Sequence, residues 1–175
     1  MEGVNANLIK VNPKENLKST FQIEHAIAAE KGIKLIDLLK GSVSIIADPD
    51  MLQLIIRNLI NNAIKFTATG GEITVTSEII DDVCRIAVRD NGTGISYDQQ
   101  NDIFSLKTKT TYGTRNEKGV GLGLVLCKEF TELQNGKISF ESVPGFGTTF
   151  YVSFKIYRDI SDIDIPKKEK LIKKV

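Results

Sequence analysis

Residues Asp48–Thr67, DPDMLQLIIRNLINNAIKFT, decide how the rest of this chain is read. They form one helix in the sequence reading, with Asp48 as N-cap and Pro49 at the first helical position, where its missing N–H is no loss. Leu52, Ile55, Ile56, Leu59, Ala63 and Phe66 recur at the spacing of a core-facing stripe. Asn58, Asn62 and Lys65 follow one another at i, i+4 and i+7, a polar stripe beside the apolar one. Two amides and an ammonium in line at the edge of a core form either a solvated helix face or one wall of a ligand site. The remaining residues must supply the ligand.

Working outward, Gly70-Gly71 ends this helix with a strong turn signal. Glu72–Ile80 and Val83–Asp90 then predict a β-hairpin turned at Asp81-Asp82. In its second strand Cys84, Ile86 and Val88 alternate with Arg85, Ala87 and Arg89, and the same alternation sends Asp90 to the apolar side. A carboxylate there is costly unless a donor meets it. Asn91-Gly92-Thr93-Gly94-Ile95 follows; no return strand comes after it, and Ser96-Tyr97-Asp98-Gln99 reads instead as a capping box opening a short helix to about Phe104. Ser105–Lys118 has little apolar content and carries Lys107, Lys109, Arg115 and Lys118 against Glu117 alone, which suits a lid over an anion. Gly119-Val120-Gly121-Leu122-Gly123 then runs into a helix over Leu124–Leu133 closed at Gly136. A glycine-rich turn at a helix N-terminus presents free N–H groups to phosphate. A last hairpin spans Lys137–Ser142 and Thr148–Ile156.

Upstream, a short strand over Asn7–Val11 precedes a helix from Pro13 to about Lys31, with Leu17, Phe21 and Ala28 on one face and Gly32 as its C-cap. Short strands over Ile33–Leu38 and Ser42–Ala47 follow. His25, the sole histidine, is followed by Ala26 rather than a carboxylate and reads as a packed, partly buried structural residue. Residues 1–7 read as a linker end, 8–157 as one domain with a lid over 105–118, and 158–175 as a charged tail.

At 175 residues, 41% hydrophobic and 26% charged, the composition is that of one globular domain. A net charge of +1 gives no general field for nucleic acid. No apolar run reaches the roughly 18 residues of a membrane span, so no direct membrane contact is expected. Cys84 and Cys127 lack metal-ligand spacing, which with one histidine argues against zinc chemistry and against a Ser-His-Asp triad, and for a reducing, cytoplasmic setting.

Taken in order, these stretches resemble the ATP-binding catalytic domain of sensor histidine kinases, in the gyrase–chaperone–histidine-kinase–MutL ATPase superfamily. RNLINNAIKFT resembles that family's asparagine box, DNGTGI its first glycine box, KGVGLGLVLCKEF its second and GFGTTF its third, with Ile103-Phe104 at the phenylalanine box. The resemblance covers about residues 8–156. It implies an α+β fold of the Bergerat type: a two-layer α/β sandwich, a mixed sheet packed on three main helices with a lid loop.

It also implies roles. Asn62 would hold Mg²⁺, a neutral amide oxygen suiting a hard cation that also takes phosphate oxygens and waters. Asn58 would support metal and phosphates, and Lys65 would meet a phosphate as a point charge. These three form the expected catalytic group. Asp90 would accept the exocyclic amine of adenine, with Gly92, Gly94 and Ile95 passing close to the base and Thr148 or Thr149 beside it. Gly119, Val120, Gly121, Leu122, Gly123 and Leu124 would hinge the lid and face the phosphates, and Phe104, Lys107, Lys109 and Arg115 are lid candidates. Superfamily members that hydrolyse ATP carry a glutamate at the position of Asn58; an amide cannot take that proton, which favours phosphoryl transfer to histidine. The cofactors implied are ATP and Mg²⁺. The partners implied are a histidine-bearing dimerisation domain, in cis or in trans, and a downstream response regulator, the domain itself being monomeric. The alternatives are another superfamily ATPase or protein kinase, or a nucleotide-binding module without transfer.

Overall fold

The structure is a computed structural model and describes residues 3–106, 112–117 and 121–159. The organising helix is α3, Pro49–Phe66. The Asp48 carboxylate caps it, accepting from the amides of Asp50 and Met51, each at 3.0 Å. Its apolar arc is wider than the sequence stripe. Met51, Ile60 and Ile64 join Leu52, Ile55, Ile56, Leu59 and Ala63 in the core, while Phe66 stays half-buried. The helix is thus flanked by core on more than one side, which the single stripe understated.

Five strands form a mixed sheet in the order β2 (Lys34–Leu38), β4 (Glu72–Ile80), β5 (Val83–Asp90), β7 (Gly147–Lys155) and β6 (Lys137–Val143). Only β2 and β4 are parallel; the other neighbours are antiparallel. The hairpin turn at Asp81 adopts φ 55°, a left-handed conformation that aspartate tolerates. A separate antiparallel pair joins β1 (Ile9–Val11) to β3 (Ile45–Ala47). Helices α2 (Lys18–Glu30), α3 and α5 (Gly123–Leu133) cover one face of the sheet, and Leu17, Ile45, Leu52, Ile55, Ile56, Leu59, Ile73, Ile86 and Phe154 are fully buried between the layers. This is the expected two-layer α+β sandwich.

Three local expectations are corrected. The helix expected from Pro13 to Lys31 breaks at Leu17, whose backbone sits at φ −90° and ψ 0°, leaving a one-turn α1 (Pro13–Asn16) before α2. Leu17 at the break is completely buried. His25 is exposed rather than partly buried; the inward positions of α2 are Thr20, Phe21, Glu24 and Ala28. The segment after Ile95 is only a four-residue helix, α4 (Tyr97–Gln100), with no side-chain bond from Ser96, followed by turns through Ile103 and Phe104.

At the end of α5, Asn135 rather than Gly136 takes the left-handed conformation, with φ 56°. The amides of Asn135 and Gly136 bond back to Glu132 O and Thr131 O at 3.0 and 2.9 Å, a Schellman closure. Gly136 serves packing: a Cβ there would stand 2.7 Å from Ser153 O on β7.

Candidate functional site

The polar stripe of α3 faces a cavity of about 610 Å³ between the helices and the loops that follow β5. That volume is in the range of small-molecule sites. Asn58, Asn62 and Lys65 line it from α3, together with Ala63 and Phe66. The Asn58 Nδ2 donates to Leu54 O at 2.9 Å, one turn back along the helix. Its Oδ1 stands 3.2 Å from where a Cβ on Gly123 would lie, so it looks toward the start of α5.

Among the described residues that start has no side-chain cap. Leu122 holds the N-cap position without a side-chain bond to the first-turn amides, and Gly121, Leu122, Gly123 and Leu124 all line the cavity. A helix of this length leaves its first N–H groups unpaired and carries the positive end of its dipole there. Gly121 sits at φ 77°, a conformation open to glycine. Burial depresses the pKa of the Lys65 ammonium, with Glu117 nearby working to raise it. This wall therefore offers two amides, an ammonium and backbone donors to an anion.

Asp90 forms the opposite recognition element. It is the last residue of β5 and only 7% exposed, among Ile95, Ile103, Phe150 and Thr148 in the cavity lining. Burial pushes its carboxyl above the ordinary range, while amide hydrogen bonds from Gly92 and Thr148 act in the other direction. The Gly92 bond is 2.8 Å long and goes to Oδ1. Gly92 is tightly confined: a Cβ would collide with Phe66 O and approach Asp90 Oδ1. The adjacent Thr93 amide donates to Phe66 O at 3.0 Å, tying this glycine turn to the end of α3. Gly94 is at φ 67°, and a Cβ there would collide with Val143 O and approach Pro144 Cα.

The structure thus brings Asn58, Asn62, Lys65, Asp90, Gly94, Ile95, Gly121, Leu122, Gly123, Leu124 and Thr148 onto one cavity, and Gly92 directly behind Asp90. Three expected residues are placed elsewhere. Thr149 lies on the opposite face of β7 beside Tyr151, because strand alternation allows only one of the two threonines to face inward. Phe104 packs edge-on against Phe140 and Phe150 at centroid distances of 5.9 and 6.3 Å, and its neighbour Ile103 lines the cavity. Arg115 donates to Lys31 O and Thr69 Oγ1, away from the cavity. Lys107, Lys109, Gly119 and Val120 lie outside the described residues.

The sequence reading missed Asn61, Thr93, Ser96, Gln99, Tyr112 and Pro144 on the cavity wall. It assigned Phe66 to the core rather than to this wall. Asn61 and Phe66 were within reach, because each adjoins a residue of the polar stripe. No group of three or more His, Cys, Asp or Glu side chains that could hold a metal occurs among the described residues. The donors present on the anion wall are amide oxygens.

A mixed sheet under three helices, with a buried carboxylate and an uncapped helix start on one cavity, defines a nucleotide-binding domain. The chain belongs to the family described as Histidine kinase-, DNA gyrase B-, and HSP90-like ATPase, whose model matches residues 47–158. It is 36% identical over 137 residues to the sensor protein EvgS of Escherichia coli K12, covering 75% of this chain and 11% of that protein. It is 32% identical over 161 residues to the adaptive-response sensory kinase SasA of Synechococcus elongatus, covering 86% of this chain and 40% of that protein. The chain therefore spans well under half the length of these curated relatives.

Among solved structures, full-length ShkA in complex with AMPPNP superposes with a TM-score of 0.75 at 26% identity, covering 89% of this chain and 32% of that one. The catalytic domain of histidine kinase ThkA shares the fold with a TM-score of 0.75 at 24% identity, covering 85% of this chain and 95% of that one. No helix among the described residues is long and apolar enough to cross a membrane.

Proposed function

We propose that this chain is the catalytic domain of a histidine kinase: it binds Mg-ATP and transfers the γ-phosphoryl group to a histidine on a separate dimerisation and acceptor domain. One observation carries the reading. A buried carboxylate, Asp90, shares its cavity with an anion-binding wall made by Asn58, Asn62, Lys65 and the start of α5. A ligand with a hydrogen-bond-donating base and a polyanionic tail matches both ends. In this assignment the Asp90 carboxylate accepts the adenine amine, Gly92 and Thr148 hold that carboxylate, and Ala63, Ile95, Ile103 and Phe150 enclose the base.

The Mg²⁺ fits the donors present. A hard cation bound to a triphosphate needs only one or two protein oxygens, and the amide oxygens of Asn62 and Asn58 are of that kind. When bound, the ion neutralises phosphate charge. Lys65 and the first N–H groups of α5 add fixed positive charge on the same wall, so the chain's part in transfer is positioning and charge neutralisation. Asn58, which spends its Nδ2 on Leu54 O, has no basic group with which to activate water. That favours transfer to an already nucleophilic imidazole over hydrolysis.

Residues 8–157 are the functional unit in this reading and 158–175 a connecting tail. The setting is cytoplasmic, the acceptor and a response regulator are the protein partners, and the domain acts as a monomer on a dimeric acceptor. The test is incubation of the whole chain with γ-labelled ATP, Mg²⁺ and a histidine-bearing helical hairpin from a sensor kinase. Acid-labile, alkali-stable label on the hairpin is expected. Steady release of inorganic phosphate without labelled hairpin would point to a hydrolase, and ATP binding with neither product to a binding module.

A further inference from the structure

The lid residues Tyr112–Glu117 are fastened to the C-terminus of α3. The Thr114 amide donates to Lys65 O at 2.9 Å and its hydroxyl to Thr67 O at 3.0 Å. The segment closes on itself through Gly113 N to Glu117 O at 2.9 Å and Arg115 N to Glu117 Oε2 at 2.7 Å. Asn116, at φ 63°, makes the reversal.

Beneath them lies Lys31, the C-cap of α2. Its side chain is 5% exposed, unusual for a lysine. The ammonium donates to Ile64 O at 2.7 Å and Lys65 O at 3.0 Å, two carbonyls left open at the end of α3. It also pairs with Glu117 Oε1 at 2.6 Å. An ammonium has three protons, and three acceptors are in place. A buried ammonium needs a counter-charge, and removing it leaves an uncompensated ion. Here the lid supplies the counter-charge. Partial burial alone would raise the Glu117 carboxyl, but the Lys31 contact and amide bonds outweigh it and hold it at about 2, so it is ionised throughout the physiological range.

This fastening reaches the cavity in two ways. Tyr112, on the wall, directly precedes Gly113, and Gly113 packs so closely that a Cβ would stand 2.6 Å from Lys65 Cγ. Glu117 also lies close to Lys65, whose ammonium it influences. A lid root held in this way fixes both side chains and the point from which the chain departs toward Gly121.

We propose that Lys31 and Glu117 are positioning residues of the nucleotide site: their ion pair holds the lid root on α3 and so sets Lys65 and Tyr112 for the triphosphate. The inference rests on the ATP-binding reading above. It concerns the phosphate end only, leaving the adenine end at Asp90 unaffected.

The test compares the whole chain with its Glu117→Gln and Lys31→Met variants, with Lys31→Arg as the charge-conserving control. Dissociation constants for Mg-ATP and for adenosine are measured by calorimetry, and amide hydrogen exchange is followed over 112–117. Glu117 is 37% exposed on its side chain and Lys31 only 5%, so Glu117→Gln is the milder change of the two, and melting curves of each variant separate a loss of fold from a loss of binding. The expected result is Mg-ATP binding weakened about three- to thirtyfold in Glu117→Gln, the range of effects transmitted through a neighbouring element. Adenosine binding stays within about twofold of the parent, and the Thr114 and Asn116 amides exchange faster. Lys31→Arg restores most of the ATP affinity. Unchanged Mg-ATP affinity in Glu117→Gln, or an equal loss for adenosine and ATP, overturns the inference while leaving the ATP site standing. A parent chain that binds no nucleotide overturns both.

Discussion

Asp90→Asn isolates the adenine contact with the smallest change of shape. The Asp90 Oδ1 already accepts the Gly92 amide at 2.8 Å, and an asparagine keeps that bond by placing its own oxygen there. Its Nδ2 then replaces the second carboxylate oxygen and presents N–H groups to the adenine amine, donor against donor. The loss is one hydrogen bond to a charged acceptor, worth about 1.5–3 kcal/mol. At 1.4 kcal/mol per decade, ATP binding weakens roughly 10- to 150-fold. Urea unfolding is measured alongside, because the Asp90 carboxylate also accepts from the Thr148 amide, and only a loss of affinity in a folded variant counts. Calorimetry with ATP and adenosine checks the magnitude: both ligands should lose affinity by the same factor, since only the base is touched. The parent should also lose affinity as pH falls toward the raised Asp90 pKa, where the acceptor becomes protonated, and Asp90→Asn should lack that acid limb. Parent-like ATP affinity in Asp90→Asn would refute the assignment of Asp90 to the base.

Three other outcomes follow from the same geometry. Thr148→Val removes a hydroxyl on the cavity that is 2.9 Å from Ser142 Oγ and should weaken ATP about two- to tenfold, whereas Thr149→Val, on the outer face, should leave it unchanged; parallel titrations decide this. Asp48→Ala deletes the cap of α3 and an acceptor for Asn7 N at 2.7 Å, so urea unfolding should show a loss of about 1–2 kcal/mol with m unchanged. Glu24 is buried with Oε2 unpaired, and burial raises its pKa against the pull of Arg57 and Asn61. Its contribution to stability is therefore full below the unfolded-state value of 4.5 and is lost as pH rises through the folded-state value. Glu24→Gln should be more stable than the parent at neutral pH, an advantage that disappears in acid; melting curves across pH measure it.

The parts of this molecule that follow a local period could be read from the residues alone. Helix α3 announces itself by its stripe, its Asp48-Pro49 start and the double glycine beyond its end. The placement of Asp90 followed from alternation along β5. Where two adjacent residues competed for one position, a motif could not choose between them: β7 pleating decides Thr148 over Thr149, and aromatic packing against Phe140 and Phe150 withdraws Phe104 and leaves Ile103 on the wall. The lid root was hidden for a different reason. Lys31 and Glu117 are far apart in the sequence, and each looks like an ordinary surface charge until α2, α3 and the lid meet. The break at Leu17, a fully buried residue, was equally out of reach, because helix propensity carries no information on tertiary context.

The most direct test of the central claim is a crystal structure of the whole chain with Mg²⁺ and a non-hydrolysable ATP analogue. The adenine amine should lie within hydrogen-bond reach of Asp90, the metal on the Asn62 oxygen and the phosphates at Lys65 and the start of α5. A nucleotide bound elsewhere, or bound in this cavity with its phosphates toward Asp90, would contradict it.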